Sequence, residues 1–432
     1  VKLIFISADC IFFRTKYHFF LFLLFIYGMN TPKPILWTRD FVLITVANLL
    51  ICAGSFLLIP TLPIYATELF KADKAEVGYI VGIYTLSGLL IRPFIGFALD
   101  TFGRKLIYWA GVLIFVSILP LYATVSSMFW LLIVRFWHGF LWGVVTTGGS
   151  TVASDIVPPA RRGEGIGYYG MSFTIAMALG PVVGLLMIQE GDFGLVFYTA
   201  AVMGLGALVL ALWVRYPAFE TQGTVKLKIT KQMLYDEHGV PAALIALVCS
   251  AIYGGLISFI TLYMKELNLK TGLAFLDSGA VFFMVYAFGL TIIRPFAGKQ
   301  MDRNGPGLLV GIGLSILMFG LFWIAFAQEI VGFLLASWTA GVGMGIILPT
   351  ILTMMVNLVE PERRGVANST FFSAVDIGVT AGTIGLGILA QATTIRAMYY
   401  ACGACIVLPL VIFYIYILPD YQQKIQAMKD RL

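Results

Sequence analysis

The sequence predicts an all-α membrane protein: twelve transmembrane helices arranged as two six-helix, pseudo-symmetric bundles. Three observations carry this. The 432-residue chain is 60% hydrophobic and 12% charged, about half the charge of an ordinary soluble domain. Apolar runs near twenty residues recur along its length, long enough to cross a bilayer as helices and too continuous for the alternating strands of a membrane barrel. Finally, Ile91-Arg92-Pro93-Phe94-Ile95-Gly96 with Asp100 and Gly103 returns as Ile293-Arg294-Pro295-Phe296-Ala297-Gly298 with Asp302 and Gly305, 202 residues later. Matched halves in an oily chain are the signature of a secondary transporter.

The expected spans lie near 41–65, 76–99, 106–125, 129–153, 164–188 and 195–214, then 241–264, 278–299, 307–327, 330–356, 366–390 and 396–418. Spans one and seven correspond through Tyr65 and Glu68 against Tyr263 and Glu266, a shift of 198. Two and eight carry the repeated motif, with Tyr84 matching Tyr286. Gly111 matches Gly313 in three and nine, and Gly139 and Gly143 match Gly341 and Gly345 in four and ten. Five and eleven share Arg161-Arg162-Gly163 against Arg363-Arg364-Gly365, and Gly180 against Gly382. Six and twelve rest on apolar length alone.

The resulting organisation is a first bundle at 29–215, a hydrophilic linker at 216–240, a second bundle at 241–418 and a tail at 419–432. Residues 1–28 do not fit: their apolar core, Phe19 to Gly28, is too short to span, and no small-residue cleavage site follows. They are expected to be a mis-assigned or disordered extension ahead of Met29. With the chain inside from residue 29, nineteen basic residues fall on the inner side and five on the outer. This places both termini in the cytoplasm, with the protein in the cell membrane. Arg92 and Arg294 are among the nineteen.

The net charge of +6 reads as topology, not as a nucleic-acid footprint. Cys402 and Cys405 have CxxC spacing but lie in an apolar run without histidine, which reads as packing; no metal site is expected. No phosphate-binding loop appears, so ATP drive is not expected; the inter-half segment is short and basic and does not read as an enzymatic domain, so neither enzyme activity nor a cofactor is expected. Asn368-Ser369-Thr370 matches a glycosylation sequon but falls at the inner end of span eleven.

Four constellations carry the chemistry. Gly96, Asp100, Gly103, Arg104 and Lys105 join spans two and three; the glycines permit a tight turn and close approach, and Asp100 suits pairing with basic groups or capping the next helix's N-terminus. Asp302 and Arg303 repeat the pattern. In span four, Arg135, His138 and Trp142 share one helix face; an intramembrane arginine, costing about 2.5–3.5 kcal/mol, should face a polar interior. Gly180, Pro181 and Gly184 in span five suit a kink and close packing. Asp376 is the one carboxylate expected deep within a span, a candidate proton carrier, with a satisfied structural carboxylate as the other reading. Tyr84, Trp142 and Tyr286 are cavity candidates; Tyr168, Tyr169, Trp323 and Trp338 are weaker ones.

The loop after span two resembles the hallmark motif of the major facilitator superfamily, with Thr101 standing where a basic residue is usual. That resemblance implies the major facilitator fold and makes Asp100, Arg104, Asp302 and Arg303, with Gly96, Gly103 and Lys105, parts of an inner-side conformational latch. Asp155, Glu164 and Arg161 are candidate partners. Arg135 followed by Gly139 resembles the motif linked to proton coupling in drug exporters, and Gly180-Pro181 with Gly184 resembles the mark of the antiporter branch. The implied function is proton-coupled efflux of small organic molecules by a monomer in the lipid bilayer, its partners being protons and a small-molecule substrate. An uptake symporter of a solute such as a sugar, or a non-transporting sensor or scaffold, are the alternatives.

Overall fold

The computed structural model describes residues 34–188, 192–216, 234–269 and 278–430; the extension at 1–28 and most of the linker at 216–240 lie outside them. Among the described residues, twelve helical segments are long and apolar enough to cross a membrane. In the first half they are α1 (Arg39–Phe70), α2 (Lys74–Phe102), α3 (Arg104–Ile118, prolonged by a 3-10 turn), α4 (Met128–Ile156), α5 (Arg162–Met187) and α6 (Phe193–Trp213). The second half has α7 (Val240–Glu266), α8 (Ser278–Asn304), α9 (Pro306–Phe326), α10 (Ile330–Asn357) and α11 (Arg364–Ala392). The twelfth crossing is built from α12 (Ile395–Cys405), α13 (Val407–Ile412), a π turn and α14 (Leu418–Lys429).

Local chemistry sets several helix starts. Thr38, Ser127 and Thr394 accept the backbone N–H three residues on, at 3.3, 3.5 and 3.1 Å, and Asp73 with Glu76 forms a reciprocal capping box. Most helices outrun their apolar stretches. The last runs eleven residues beyond the expected end at 418, because backbone bonding continues after the oily run stops. Pro181 lies inside α5, which continues to Met187.

Each half has its own core. Phe41, Tyr108, Phe115 and Phe197 anchor the first; Phe282, Phe333, Tyr399 and Phe413 anchor the second. Large apolar side chains such as Trp137, Phe129, Phe288, Phe319 and Ile415 point outward, as lipid contact requires. The repeated glycines explain the matching helix crossings. A side chain at Gly139 would strike the Tyr84 carbonyl, and one at Gly341 the Tyr286 carbonyl. Thus α4 on α2 and α10 on α8 pack backbone to backbone.

The halves are joined by two related sets of hydrogen bonds at one end of the bundle. Asp100 accepts the backbone N–H groups of Gly365 and Val366, both at 2.8 Å. Asp302 accepts those of Gly163 and Glu164, at 2.7 and 2.9 Å. Each carboxylate therefore sits on the positive N-terminus of a helix in the opposite half. The expected cap exists, but on α11 and α5 rather than on the helix that follows each loop. Gly96 against Gly365, and Gly298 against Gly163, let the backbones approach. Gly103 and Gly305, at φ 92° and 74°, turn the chain out of α2 and α8.

Charge is distributed unequally between the two sets. Arg104 is buried and binds Asp100 at 2.8 Å, Asp155 at 3.0 Å and the Pro361 carbonyl at 2.6 Å; Arg364 adds a second bond to Asp155 at 2.8 Å. At the repeat positions Pro306 replaces Arg104 and Asn357 replaces Asp155, so Arg162 donates to a neutral amide at 2.7 Å. Arg161 pairs with Glu164 at 2.7 Å, and Lys299 approaches Glu164 to 3.7 Å. Lys105 and Arg303 stand apart from these bonds: the Lys105 ammonium lies 4.4 Å over the Trp109 ring, and Arg303 is exposed.

Two outcomes follow from this packing. Gly139→Val and Gly341→Val should each cost roughly 1–3 kcal/mol through overpacking, seen as a lowered thermal midpoint of the detergent-purified protein. Gly78→Ala, with nothing within 4 Å, should not lower that midpoint and, being inside a helix, should raise it slightly. Asp100→Asn should unlatch the bundle more than Asp302→Asn, because it also strips Arg104 of a partner. In a chain lacking its native cysteines, Ser369→Cys, buried at the α2–α11 seam, should react with maleimide several-fold faster in the Asp100→Asn background; equal rates in both backgrounds would contradict this asymmetry.

Candidate functional site

Along α2, Arg92 lies eight residues before Asp100. At 1.5 Å per residue this is about 12 Å deeper into the bundle. The same rise buries Arg294 relative to Asp302, and the two arginines are 2% and 7% exposed. They therefore do not belong with the basic residues at the membrane face. Seventeen basic residues remain against five without them, so the bias behind the orientation persists.

Both arginines line a cavity of about 200 Å3 between the halves. Its walls come from α1, α2, α4 and α5 on one side and α8, α10 and α11 on the other. Trp142, Phe173, Phe371 and Phe372 supply aromatic surface, and Ile166, Leu348, Leu352 and Val375 aliphatic surface. Asn48 adds a polar point on α1, fixed by Ser172 at 2.7 Å and Tyr169 at 3.0 Å.

Asp376 lines this cavity and pairs with Arg92 across the halves at 2.5 Å. Arg92 is fully engaged: it also donates to Thr146 at 3.3 Å and Thr147 at 3.1 Å, lies 4.9 Å from the Phe372 ring centre, and its carbonyl accepts the Ser369 hydroxyl. The Asp376 side chain is 20% exposed against 3% for Arg92, so the carboxylate is the partner open to the cavity. Unpairing such a buried arginine costs about 3–5 kcal/mol, so an electrostatic clasp spans the α2–α11 seam.

The span-four constellation separates. Trp142 lines the cavity, but Arg135, His138, Tyr84 and Tyr286 do not. Arg135 is buried behind α2, donates to the Ile80 carbonyl at 3.2 Å, and stacks over Tyr84 at 4.0 Å. Ser337, its repeat counterpart, donates to the Phe282 carbonyl at 2.7 Å, and Phe282 is the counterpart of Ile80. The same interhelical tie is thus made twice, by arginine once and serine once. His138 is fully buried, with Nδ1 2.9 Å from the Tyr122 hydroxyl and 3.5 Å from Arg135. A guanidinium can only donate, so Nδ1 accepts and Nε2 carries the proton. Tyr286 is stacked on Tyr253, ring centres 5.7 Å apart. Gly180 and Gly184 pack against Phe56 and Leu57 of α1, and Asn368 of the sequon is buried, accepting from Ser150 at 2.6 Å.

Arg92, Arg294, Asn48, Thr146 and Ser150 are among the cavity residues missed in sequence, whereas Tyr169, a weaker candidate, does line the cavity. The available signal was depth: a repeated arginine two turns inward of a loop aspartate lies too deep for a membrane-face anchor.

A sequence model described as Major Facilitator Superfamily matches residues 44–351 and 276–429. An uncharacterised MFS-type transporter of Methanocaldococcus jannaschii is 23% identical over 349 residues, covering 79% of this chain and 88% of the relative. The quinolone resistance protein NorA of Staphylococcus aureus is 26% identical over 360 residues, covering 82% and 90%. Among solved structures, the human organic anion transporter MFSD10 superposes with a TM-score of 0.74 at 15% identity, covering 87% of this chain and 98% of that one. The Escherichia coli fucose:proton symporter FucP gives 0.70 at 16%, covering 88% and 99%. With twelve crossings, a repeated half and a family match across most of its length, the chain belongs to the Major Facilitator Superfamily and is a membrane transport protein.

Proposed function

We propose that the protein is a proton-coupled exporter of small organic molecules, exchanging protons for substrate through the cavity between its halves. The observation that carries this reading is the Arg92–Asp376 pair, which joins the halves inside the cavity. An ionised Asp376 holds α11 to α2; a proton on it cancels the attraction and releases that seam. The latch end is taken as cytoplasmic, with both termini, so the latched arrangement faces outward. A proton arriving from outside neutralises Asp376, the latch yields, and the halves rock to face the cytoplasm. Deprotonation inside restores the pair once substrate has loaded. Each proton charge crossing the membrane supplies about 2.3 kcal/mol per 100 mV. One copy of the chain holds the whole cavity, so a monomer in the cell membrane suffices.

The lining supports an organic substrate over a sugar. Aromatic and aliphatic groups dominate the wall, whereas a hydroxyl-rich solute needs many hydrogen-bonding partners. One relative is named for quinolone resistance and one structural neighbour for organic anion transport. The neighbour named for fucose:proton symport shares the fold, and fold alone does not carry substrate.

In cells without their own exporters, expression should lower the accumulation of labelled aromatic compounds, and a protonophore should abolish the difference. Accumulation above the empty-vector level would reverse the direction to uptake. Asp376→Asn should reduce gradient-driven flux at least tenfold and remove its dependence on the pH gradient. Arg135→Ser, which keeps a donor for the Ile80 carbonyl, should leave the pH dependence intact. Unchanged gradient-driven flux in Asp376→Asn would sink the proton-carrier role.

A further inference from the structure

The two cavity arginines are repeat counterparts, yet only one is satisfied. Arg92 has Asp376, Thr146 and Thr147 as acceptors and Phe372 beneath it. At the positions 202 residues away, every one of these partners has changed. Asp376 corresponds to Thr174, Thr146 to Leu348, Thr147 to Pro349, and Phe372 to Gly170. The Thr174 hydroxyl is already engaged, donating to the Met171 carbonyl at 3.1 Å and accepting from Thr291 at 2.9 Å. A side chain at Gly170 would strike the Arg294 guanidinium, so glycine there makes room for it.

Arg294 is left with no hydrogen bond or ion pair among the described residues, and its buried Nε has no partner. Its charged neighbours in the cavity are Arg92 and Asp376, already paired with each other. The cavity wall therefore carries one net positive charge, fixed on a guanidinium without an acceptor. A buried cation in that condition is costly, and the cost falls if a ligand supplies the missing carboxylate.

We infer that Arg294 is the anchoring group for an anionic substrate: a small organic monoanion, a carboxylate on an aromatic body. The planar guanidinium favours a bidentate carboxylate, and Trp142, Phe173 and Phe371 receive the apolar body. The ligand's carboxylate does for Arg294 what Asp376 does for Arg92. This deepens the transport reading above and rests on it for the site's purpose, but the binding itself needs no proton gradient and no assumed direction.

The test is calorimetric titration of the full-length, detergent-purified protein with naphthalene-2-carboxylate, its neutral isostere naphthalene-2-carboxamide, and the cation 2-naphthylmethylammonium. The carboxylate should bind at least tenfold more tightly than the carboxamide. Arg294→Gln should abolish that difference while preserving carboxamide binding, and Arg294→Lys should retain part of it. Thr174→Asp gives a second route that keeps the arginine: it installs the acid the repeat lacks, and it should also abolish carboxylate preference. A thermal midpoint within a few degrees of the parent shows that each variant is folded. Carboxylate binding no tighter than carboxamide, or not measurable at millimolar concentration, overturns the inference. So does a preference that survives both Arg294→Gln and Thr174→Asp. Tighter binding of the ammonium overturns it by making Asp376 the anchor. Carboxylate preference together with Asp376→Asn flux that is undiminished and still driven by the pH gradient would defeat the proton-carrier reading alone and leave the anion site standing.

Discussion

Two carboxylates placed on the N-termini of helices in the opposite half hold this molecule in its observed arrangement. Asp100 on α11 and Asp302 on α5 each satisfy two backbone N–H groups that a helix start would otherwise leave open. Because the contacts are to backbone, they demand little of the sequence beyond glycine where the chains touch. Everything deeper in the bundle depends on them. With one end drawn shut, the paired helices bring Arg92, Arg294 and Asp376 around one cavity. Toward the other end, the cross-half bonds among the described residues thin to Thr174–Thr291 and Tyr253–Met177.

The fold was legible because its determinants are additive along the chain. Apolar length fixes crossings, glycines mark close approach, and a constant shift of 202 positions ties one half to the other. The latch aspartates were legible for the same reason, being polar residues in a short loop with a repeated pattern. Their actual partners were not, because a backbone N–H across the molecule leaves no trace in side-chain identity. Arg135 shows the opposite failure. A charged residue in a span points to a cavity when weighed by insertion cost, yet a carbonyl on α2 and the Tyr84 ring suffice to hold it in packed protein.

Sequence position misled most at Arg92 and Arg294. Both lie close enough in number to a basic loop to be counted with it, although helical rise carries them well inside. Asp376 was found in sequence because a lone carboxylate in an oily span is rare; its arginine was not, because pairing between α2 and α11 is a tertiary fact. The repeat becomes informative about chemistry only when partners, rather than residues, are compared between halves. Arginine is kept in both copies, but it is bonded to an acid and two threonines in one, and its Nε has no hydrogen-bond partner in the other.

The spacing of bonds along the two seams has a mechanical consequence. On the α2–α11 seam the helices are pinned at Asp100 and again at Asp376, about 12 Å apart by the rise from Arg92 to Asp100. The α5–α8 seam is pinned at Asp302 and at the Thr174–Thr291 hydroxyl pair. Bonds at two depths on each seam resist rotation as a beam fixed at two points does. Of these pins, the Arg92–Asp376 ion pair is the one that lies against the cavity. The seams are therefore unequal under the same load: one carries an ion pair beside the cavity, the other a pair of neutral hydroxyls. In the proposed proton exchange, motion of the halves would therefore begin along α2 and α11, with α5 and α8 serving as the axle.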